Sequence, residues 1–420
     1  MKTVAKLSGS GVYPSNPFTN NDTLYGDDIL QVYDDGANYI AIEKTDALTA
    51  SLPAAVTSAP KYMPPEVNYD TSGRSRNAIT AIKSSAVTIN RNMLGMNVGY
   101  NYQTFDFTKA GFIRLMDCGT QWKHIEQVAG GRDAEAVARM DDIINRAVAA
   151  GCEVVYVVND TPPVRSRYPT NANPNYWLPG TAGTPGAVDF TSLTAFINWL
   201  LGRYGNKITY IEGWNEPNLS NSYADSNGAA GIKDYTNAIA TAVSAWNAAN
   251  SGTVKVIGPT CTGYSGINTD TVSVASLATA GAYANTPALG YHIYRGGGST
   301  VNSVGFSVPK HLIWPINAQL TALSLTAKSL FITEFGVSDL KRVGNKRWFL
   351  RHMIYWICRG ATKVSPYAWD NMGIGDMRVN QVSKAWYDAY DFLNGKTIDW
   401  CNEMASGELA VSINGVPQFV

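Results

Sequence analysis

The sequence predicts an α/β fold: a (β/α)8 TIM barrel with a small β-rich N-terminal extension. Three observations predict it. From about residue 90 onward, short apolar runs alternate with amphipathic stretches. There are eight such runs. Polar and aromatic side chains collect where each run stops. Eight strands alternating with helices within about 300 residues is the arithmetic of such a barrel. A doubly wound open sheet is the rival topology, and the strand and helix counts favour the barrel.

The elements follow in order. The first strand is near Met93 to Val98 and the second is Phe112 to Met116. A helix over about Asp133 to Ala150 carries Val137, Met140, Ile144, Ala147 and Val148 on one face, and Gly151 stops it. The third strand is Glu153 to Val158. A helix from Leu193 to Tyr204 turns Leu193, Phe196, Ile197, Leu200 and Leu201 inward. The fourth strand is Ile208 to Glu212. A helix near Lys233 to Asn247 and a fifth strand, Val254 to Ile257, come next. The sixth strand is Leu289 to Ile293. A helix around Trp314 to Leu323 leads to the seventh, Leu330 to Thr333. A long amphipathic helix, Lys346 to Arg359, has Trp348, Tyr355 and Trp356 at core spacing. The eighth strand is near Lys363 to Ala368, where Pro366 removes a ladder donor. The last helix runs from Val382 to Leu393.

The barrel is expected over residues 86–398, with a β-prone arm and linker at 1–85 and a β extension at 399–420. In the arm, Ile29–Tyr33 and Tyr39–Ile42 flank Asp34-Asp35-Gly36-Ala37-Asn38, a hairpin signal with a longer loop. A Pro/Ala/Ser/Thr-rich segment follows and reads as a linker. In the tail, Asn414-Gly415 within apolar alternation signals a second hairpin that can add strands to the N-terminal segment.

Composition mainly excludes. Of 420 residues, 33 are Lys or Arg and 33 are Asp or Glu, so the formal charge is zero. Such a chain has no electrostatic footprint for nucleic acid or an anionic membrane. No stretch approaches the roughly 20 apolar residues of a membrane span, and Met1–Tyr13 lacks the apolar core of a secretory signal. The five cysteines are widely spaced without C-x-x-C, and the four histidines form no H-E-x-x-H. They predict reduced buried thiols, no metal and no cofactor. No glycine run fits a phosphate loop. The excess is aromatic, with 11 Trp, 23 Tyr and 12 Phe. Flat apolar platforms with polar rims suit sugar rings, although core packing uses the same residues.

Function in a barrel sits at the C-terminal strand ends. Strand 2 ends at Arg114, followed by Asp117 and Trp122. Strand 3 ends in Asn159-Asp160-Thr161-Pro162, strand 4 in Trp214-Asn215-Glu216-Pro217-Asn218, and strand 6 in His292-Ile293-Tyr294. Strand 7 ends in Thr333-Glu334-Phe335-Gly336 and strand 8 in Trp369-Asp370. Two glutamates thus face each other across the mouth. Paired carboxylates flanking a bond are the machinery of glycoside hydrolysis, one as proton donor and one ionised.

These motifs resemble the large clan of retaining (β/α)8 glycoside hydrolases. That clan carries an acid/base Glu after an Asn at the end of strand 4 and a nucleophile Glu at the end of strand 7. His292-Ile293-Tyr294, Arg114 and Trp369 match its other positions. The stretch Phe112–Asp117, with Trp122 and Thr161-Pro162, looks most like glycoside hydrolase family 39. The resemblance covers about residues 90–395. It implies Glu216 as acid/base and Glu334 as nucleophile, with Arg114, Asn215, His292, Tyr294, Trp369, Asp160 and Trp122 binding substrate. Arg114 and Tyr294 then favour ionised Glu334, whose charge raises the pKa of Glu216. Asn215 donates to a sugar 2-hydroxyl and Trp369 is a stacking floor. Glu212 points into the barrel towards a partner.

The expected partner is a polysaccharide or oligosaccharide, without nucleic acid or membrane insertion. The weakly charged chain with its β-prone arm also resembles bacteriophage tail proteins that degrade bacterial surface polysaccharide. That resemblance implies homo-oligomerisation or virion tail attachment through the arm. The alternatives are a cellular bacterial glycosidase, cytoplasmic or exported by a non-standard route, and a non-catalytic polysaccharide-binding barrel.

Overall fold

The eight apolar runs pair in sequence order into one parallel sheet. They are β1 (Gly95–Val98), β2 (Phe112–Leu115), β3 (Glu153–Val157), β4 (Tyr210–Glu212), β5 (Lys255–Thr262), β6 (Ala288–Tyr294), β7 (Ser329–Gly336) and β8 (Ala361–Pro366). The computed structural model describes 85–181, 184, 186–263, 270–294, 317–336, 346–370, 380–403 and 409–420. It also describes the strands Lys2–Ala5, Ile29–Asp34, Asn38–Glu43 and Thr80–Lys83. A parallel bridge between Leu94 and Val364 joins the two ends of the sheet. The Trp369 N–H donates to the Asn97 carbonyl at 2.9 Å across the same seam. The sheet is therefore a closed barrel, and the doubly wound alternative is excluded.

The strands are buried on both faces, which is why they read as continuous apolar runs. Pro366 is the last residue of β8, so no interior ladder bond is lost. Inside the barrel, Phe112, Val155, Ile257, Ala288 and Phe331 form a small apolar cluster, distinct from the large core between strands and helices. Gly95 is required there: a Cβ would stand 2.2 Å from the Phe112 ring. At the N-terminal end, the Lys363 ammonium sits 5.0 Å from the Phe112 ring centre and 5.4 Å from that of Tyr210. Burial lowers its pKa.

The outer layer includes α1 (Ala134–Ala149), α2 (Thr191–Tyr204), α3 (Gly228–Asn250), α4 (Val274–Ala280), α5 (Lys346–Cys358) and α6 (Asn380–Leu393). The Asp133 carboxylate accepts the Ala136 N–H at 2.8 Å and starts α1. Val148, expected on the inner face of α1, is 43% exposed, and Ile143 takes that place. Residues 317–322 are helical, and the rest of the helix expected at 314–323 lies partly outside the described residues. Trp348, Tyr355 and Trp356 are buried as core. The five cysteines are free and buried. Among the described residues no helix is long and apolar enough to cross a membrane.

The tail hairpin forms as Leu409–Ile413 and Val416–Phe419 around left-handed Asn414 and Gly415. It pairs with Thr397–Glu403, a strand lying across the expected boundary at residue 398. That strand also pairs with Thr80–Lys83 and Val87–Thr88, so the tail does add to the N-terminal segment. The arm's expected hairpin pairs Ile29–Asp34 with Asn38–Glu43, and Lys2–Ala5 adds a third strand. The linker at 44–79 lies outside the described residues.

Candidate active site

Arg114 organises the upper end of the barrel. It projects from β2 two positions above Phe112, so strand alternation carries it into the barrel axis. It is fully buried. Its Nε and Nη2 donate to the two oxygens of Glu212 at 2.7 and 2.9 Å. Its Nη1 donates to Glu334 Oε1 at 2.6 Å and to Asn97 Oδ1 at 3.0 Å, and its Nη2 also reaches Asn215 Oδ1 at 2.7 Å. Burial opposes the guanidinium charge, yet the carboxylates of Glu212 and Glu334 outweigh it and raise the pKa. Glu212 also accepts from the Thr260 hydroxyl at 2.7 Å. It is a structural anchor facing the interior.

Glu334 lies within β7 rather than after it. The register between β6 and β7 slips here, from Tyr291 opposite Ile332 to His292 opposite Glu334. Such an irregularity re-aims a side chain. Both Thr333 and Glu334 consequently reach His292. The Tyr294 hydroxyl donates to Glu334 Oε2. Glu216 follows β4 in a left-handed conformation, φ 47°, with its N–H held by the Thr260 carbonyl at 2.7 Å. A non-glycine residue held there is strained, and such strain concentrates at functional sites. The Glu216 side chain is 19% exposed, against 6% for Glu334.

His292 joins the two carboxylates. Its Nδ1 is 2.7 Å from Glu216 Oε1 and 3.5 Å from Glu334 Oε2, while Nε2 is 3.1 Å from the Thr333 hydroxyl. One oxygen from each glutamate and one imidazole nitrogen lie within 4.8 Å of one another. Three such atoms have the spacing to hold a cation, but the Arg114 guanidinium already occupies Glu334 Oε1. Asn215 is buried beside them and donates its N–H to Asn159 Oδ1 at 3.2 Å. The Arg114 contact makes Oδ1 its acceptor and leaves Nδ2 as donor.

The protonation pattern differs from the expectation. Burial pushes Glu216 up, but the His292 hydrogen bond and charge outweigh it and hold this carboxyl below its ordinary value. Burial pushes Glu334 up, and the Glu216 charge adds to this despite His292, Arg114 and Tyr294. The expected donors do sit on Glu334. Glu216 differs from the expected rise because the contacts to His292, Thr262 and Arg114 together act on it more strongly than burial does.

Two aromatic residues are placed differently from the expectation. Trp122 is fully buried, stacked on Phe196 at 5.4 Å, with Nε1 bonded to Glu126 at 2.9 Å. It is core, not the substrate contact that the resemblance implies. Trp369 is 2% exposed, stacked on Tyr387 at 5.8 Å, with Nε1 on the Thr104 hydroxyl at 2.9 Å. It has no open face to serve as a floor. Asp160 is at the mouth, 2.5 Å from the Lys123 ammonium. Lys123 and Tyr367, whose hydroxyl donates to Asp117, escaped the sequence reading. The signal for Lys123 was its place beside Trp122 after strand 2.

The cellulase model (glycosyl hydrolase family 5) matches residues 99–375. No curated protein matches the chain. Among solved structures, a family 39 glycoside hydrolase from the gut symbiont Bacteroides cellulosilyticus WH2 is 14% identical. The alignment covers 79% of this chain and 70% of that one, with a TM-score of 0.53. A Paenibacillus polymyxa xyloglucanase from glycoside hydrolase family 44 is 13% identical over 80% of this chain and 86% of that one, with a TM-score of 0.50. These two share the fold. The clan suggested by the strand-end motifs is thus the right one, with family 5 rather than family 39 as the matching model. The match spans well over half of the chain, and the chain belongs to the cellulase family, glycosyl hydrolase family 5.

Proposed function

We propose that this retaining glycoside hydrolase uses Glu334 as nucleophile and Glu216 as general acid/base on a polysaccharide or oligosaccharide. The observation that carries the reading is the close approach of the two carboxylates, with one oxygen of each within 4.8 Å. Retention needs carboxyl groups about 5–5.5 Å apart, whereas inversion needs about 6.5–9.5 Å to admit water. The more buried Glu334 has Arg114 and Tyr294 to hold it in line for attack. The more exposed Glu216 has a proton partner in His292.

In the first step Glu334 attacks the anomeric carbon, the glycosidic C–O bond breaks, and Glu216 gives its proton to the leaving oxygen. In the second, Glu216 takes a proton from water, which attacks the anomeric carbon and frees Glu334. Asn215 Nδ2 donates to the 2-hydroxyl as positive charge develops on the ring. In the empty site His292 keeps Glu216 acidic. A bound sugar excludes water from Glu216, which raises it, while the developing oxocarbenium charge favours ionised Glu334.

Glu334→Gln and Glu216→Gln each abolish turnover with folding intact. Wild-type cleavage followed by NMR releases the retained anomer first. Inverted product, or both variants active at the normal rate, overturns the assignment.

The finer reading is a virion tail enzyme acting on bacterial surface polysaccharide, with residues 1–85 as its attachment arm. Its support is the neutral composition and the β-prone arm. A stable trimer that falls to monomer when residues 1–79 are deleted supports it. A full-length monomer counts against it, in favour of a cellular glycosidase.

A further inference from the structure

The mouth of the barrel holds a second polar constellation, one step removed from the catalytic pair. Lys123 Nζ lies 2.5 Å from Asp160 Oδ2, with the lysine side chain 29% exposed and the aspartate 8%. The other aspartate oxygen accepts from Asn159 Nδ2 at 3.1 Å. Asn159 in turn accepts the N–H of Asn215, which precedes Glu216. The pair is thereby tied to the acid/base through one side chain. Asp160 is also left-handed, φ 60°, like Glu216. Both therefore leave their strands through a left-handed turn, which aspartate adopts readily and glutamate rarely.

We propose that Lys123 and Asp160 form a specificity clamp for a neutral sugar presenting two adjacent free hydroxyls. The inference rests on the glycosidase reading and specifies its substrate class. An ammonium has three donors and no acceptor, and Asp160 takes one of them. The remaining donors serve a hydroxyl oxygen, while the carboxylate accepts from the neighbouring hydroxyl. The pairing of one donor with one acceptor matches a vicinal diol, because each hydroxyl both gives and accepts.

The same geometry disfavours a uronic acid. A sugar carboxylate would draw Lys123 away and leave Asp160 as a nearly buried unpaired charge, which is strongly unfavourable. It would also meet the Asp117 carboxylate, whose charge already acts on Asp160 and which accepts from the Tyr367 hydroxyl. Arg114 cannot compensate, being fully buried on Glu212 and Glu334.

The test uses the full chain carrying Glu334→Gln, so that binding is read without turnover. Neutral oligosaccharides and uronate-containing oligosaccharides of equal length are titrated by calorimetry. Loss of a hydrogen bond from a charged group predicts 10- to 100-fold weaker neutral-sugar binding for Lys123→Met. Lys123→Arg recovers part of this loss. In the active enzyme Lys123→Met raises KM by the same factor with kcat changed less than threefold. Lys123→Met leaves Asp160 without its counter-ion and lowers the unfolding midpoint, so titrations and assays are run well below the variant's own midpoint and read the folded protein. Tighter binding of uronates than of neutral sugars by the parent, or unchanged affinity and KM in Lys123→Met, overturns the clamp. If wild-type protein cleaves no glycan, the glycosidase reading fails instead.

Discussion

Replacing Arg114 by Met tests whether the upper barrel is held together by one buried cation. The substitution keeps the volume and removes five hydrogen bonds of 2.6–3.0 Å, to Glu212, Glu334, Asn97 and Asn215. Glu212 is fully buried and would retain the Thr260 hydroxyl as its remaining named donor. Breaking a buried pair by removing one partner costs about 3–5 kcal/mol, because the charge left behind has lost both water and its counter-ion. That is about a fifth or more of the roughly 5–15 kcal/mol that keeps a domain folded. Adding Glu212→Gln removes one of the two stranded charges, so the double variant regains part of that loss although it has lost more of the native side chains. Urea unfolding monitored by tryptophan fluorescence measures both differences. A single variant that costs under about 1 kcal/mol, or a double variant less stable than the single one, refutes the buried-cation account.

His292→Gln removes the group that holds Glu216 acidic while burial remains. Its carboxyl then rises and stays protonated to higher pH, so the limb of the kcat/KM profile belonging to the general acid moves upward in pH. An unmoved limb argues against the His292 contact as the cause. Trp122→Ala destabilises by about 3–5 kcal/mol and leaves the KM of the folded fraction within twofold, because this ring is core. A large rise in KM without loss of stability restores the substrate-binding reading. Gly95→Ala forces a methyl into the Phe112 ring and costs about 1–3 kcal/mol by denaturant titration, and a simultaneous Phe112→Leu relieves it. No relief in the double variant places the strain elsewhere.

The strands were legible because burial on both faces leaves little room for polar residues in each run. Their tips were not: β5 was expected to stop at Ile257 and continues to Thr262, through Thr260 and Thr262, whose polar side chains disguise a buried ladder. The short helix α4 was missed because its start rests on a Ser273–Ser276 capping box without acidic or proline signals. The catalytic motifs could be read because proline and asparagine surround Glu216 at a strand end. The left-handed turn of Glu216 and the β6–β7 slip beneath Glu334 have no local sequence signature. Tryptophans are ambiguous in principle, since a ring can fill a core or face a cleft, and neighbours distant in sequence decide which. Trp369 is covered by Tyr387 and Phe105 for that reason. His292 lies 2.7 Å from one glutamate and 3.5 Å from the other, a difference that spacing along the chain cannot encode.

The sheet beside the barrel bears on how the chain is made. Thr88 and Thr397 hydroxyls meet at 3.0 Å although they are 309 positions apart. The Ile89 N–H donates to Lys396, and the Gly395 N–H donates back to Ile89. At about 5–20 residues per second of synthesis, the first of these strands waits roughly 15–60 s for its partner. During that interval β1 also lacks β8, so the growing barrel exposes an unpaired parallel edge. Non-local pairing of this kind makes for slow folding. The interval between the two flanking segments is therefore when the nascent chain is most open to mispairing and most in need of chaperone cover.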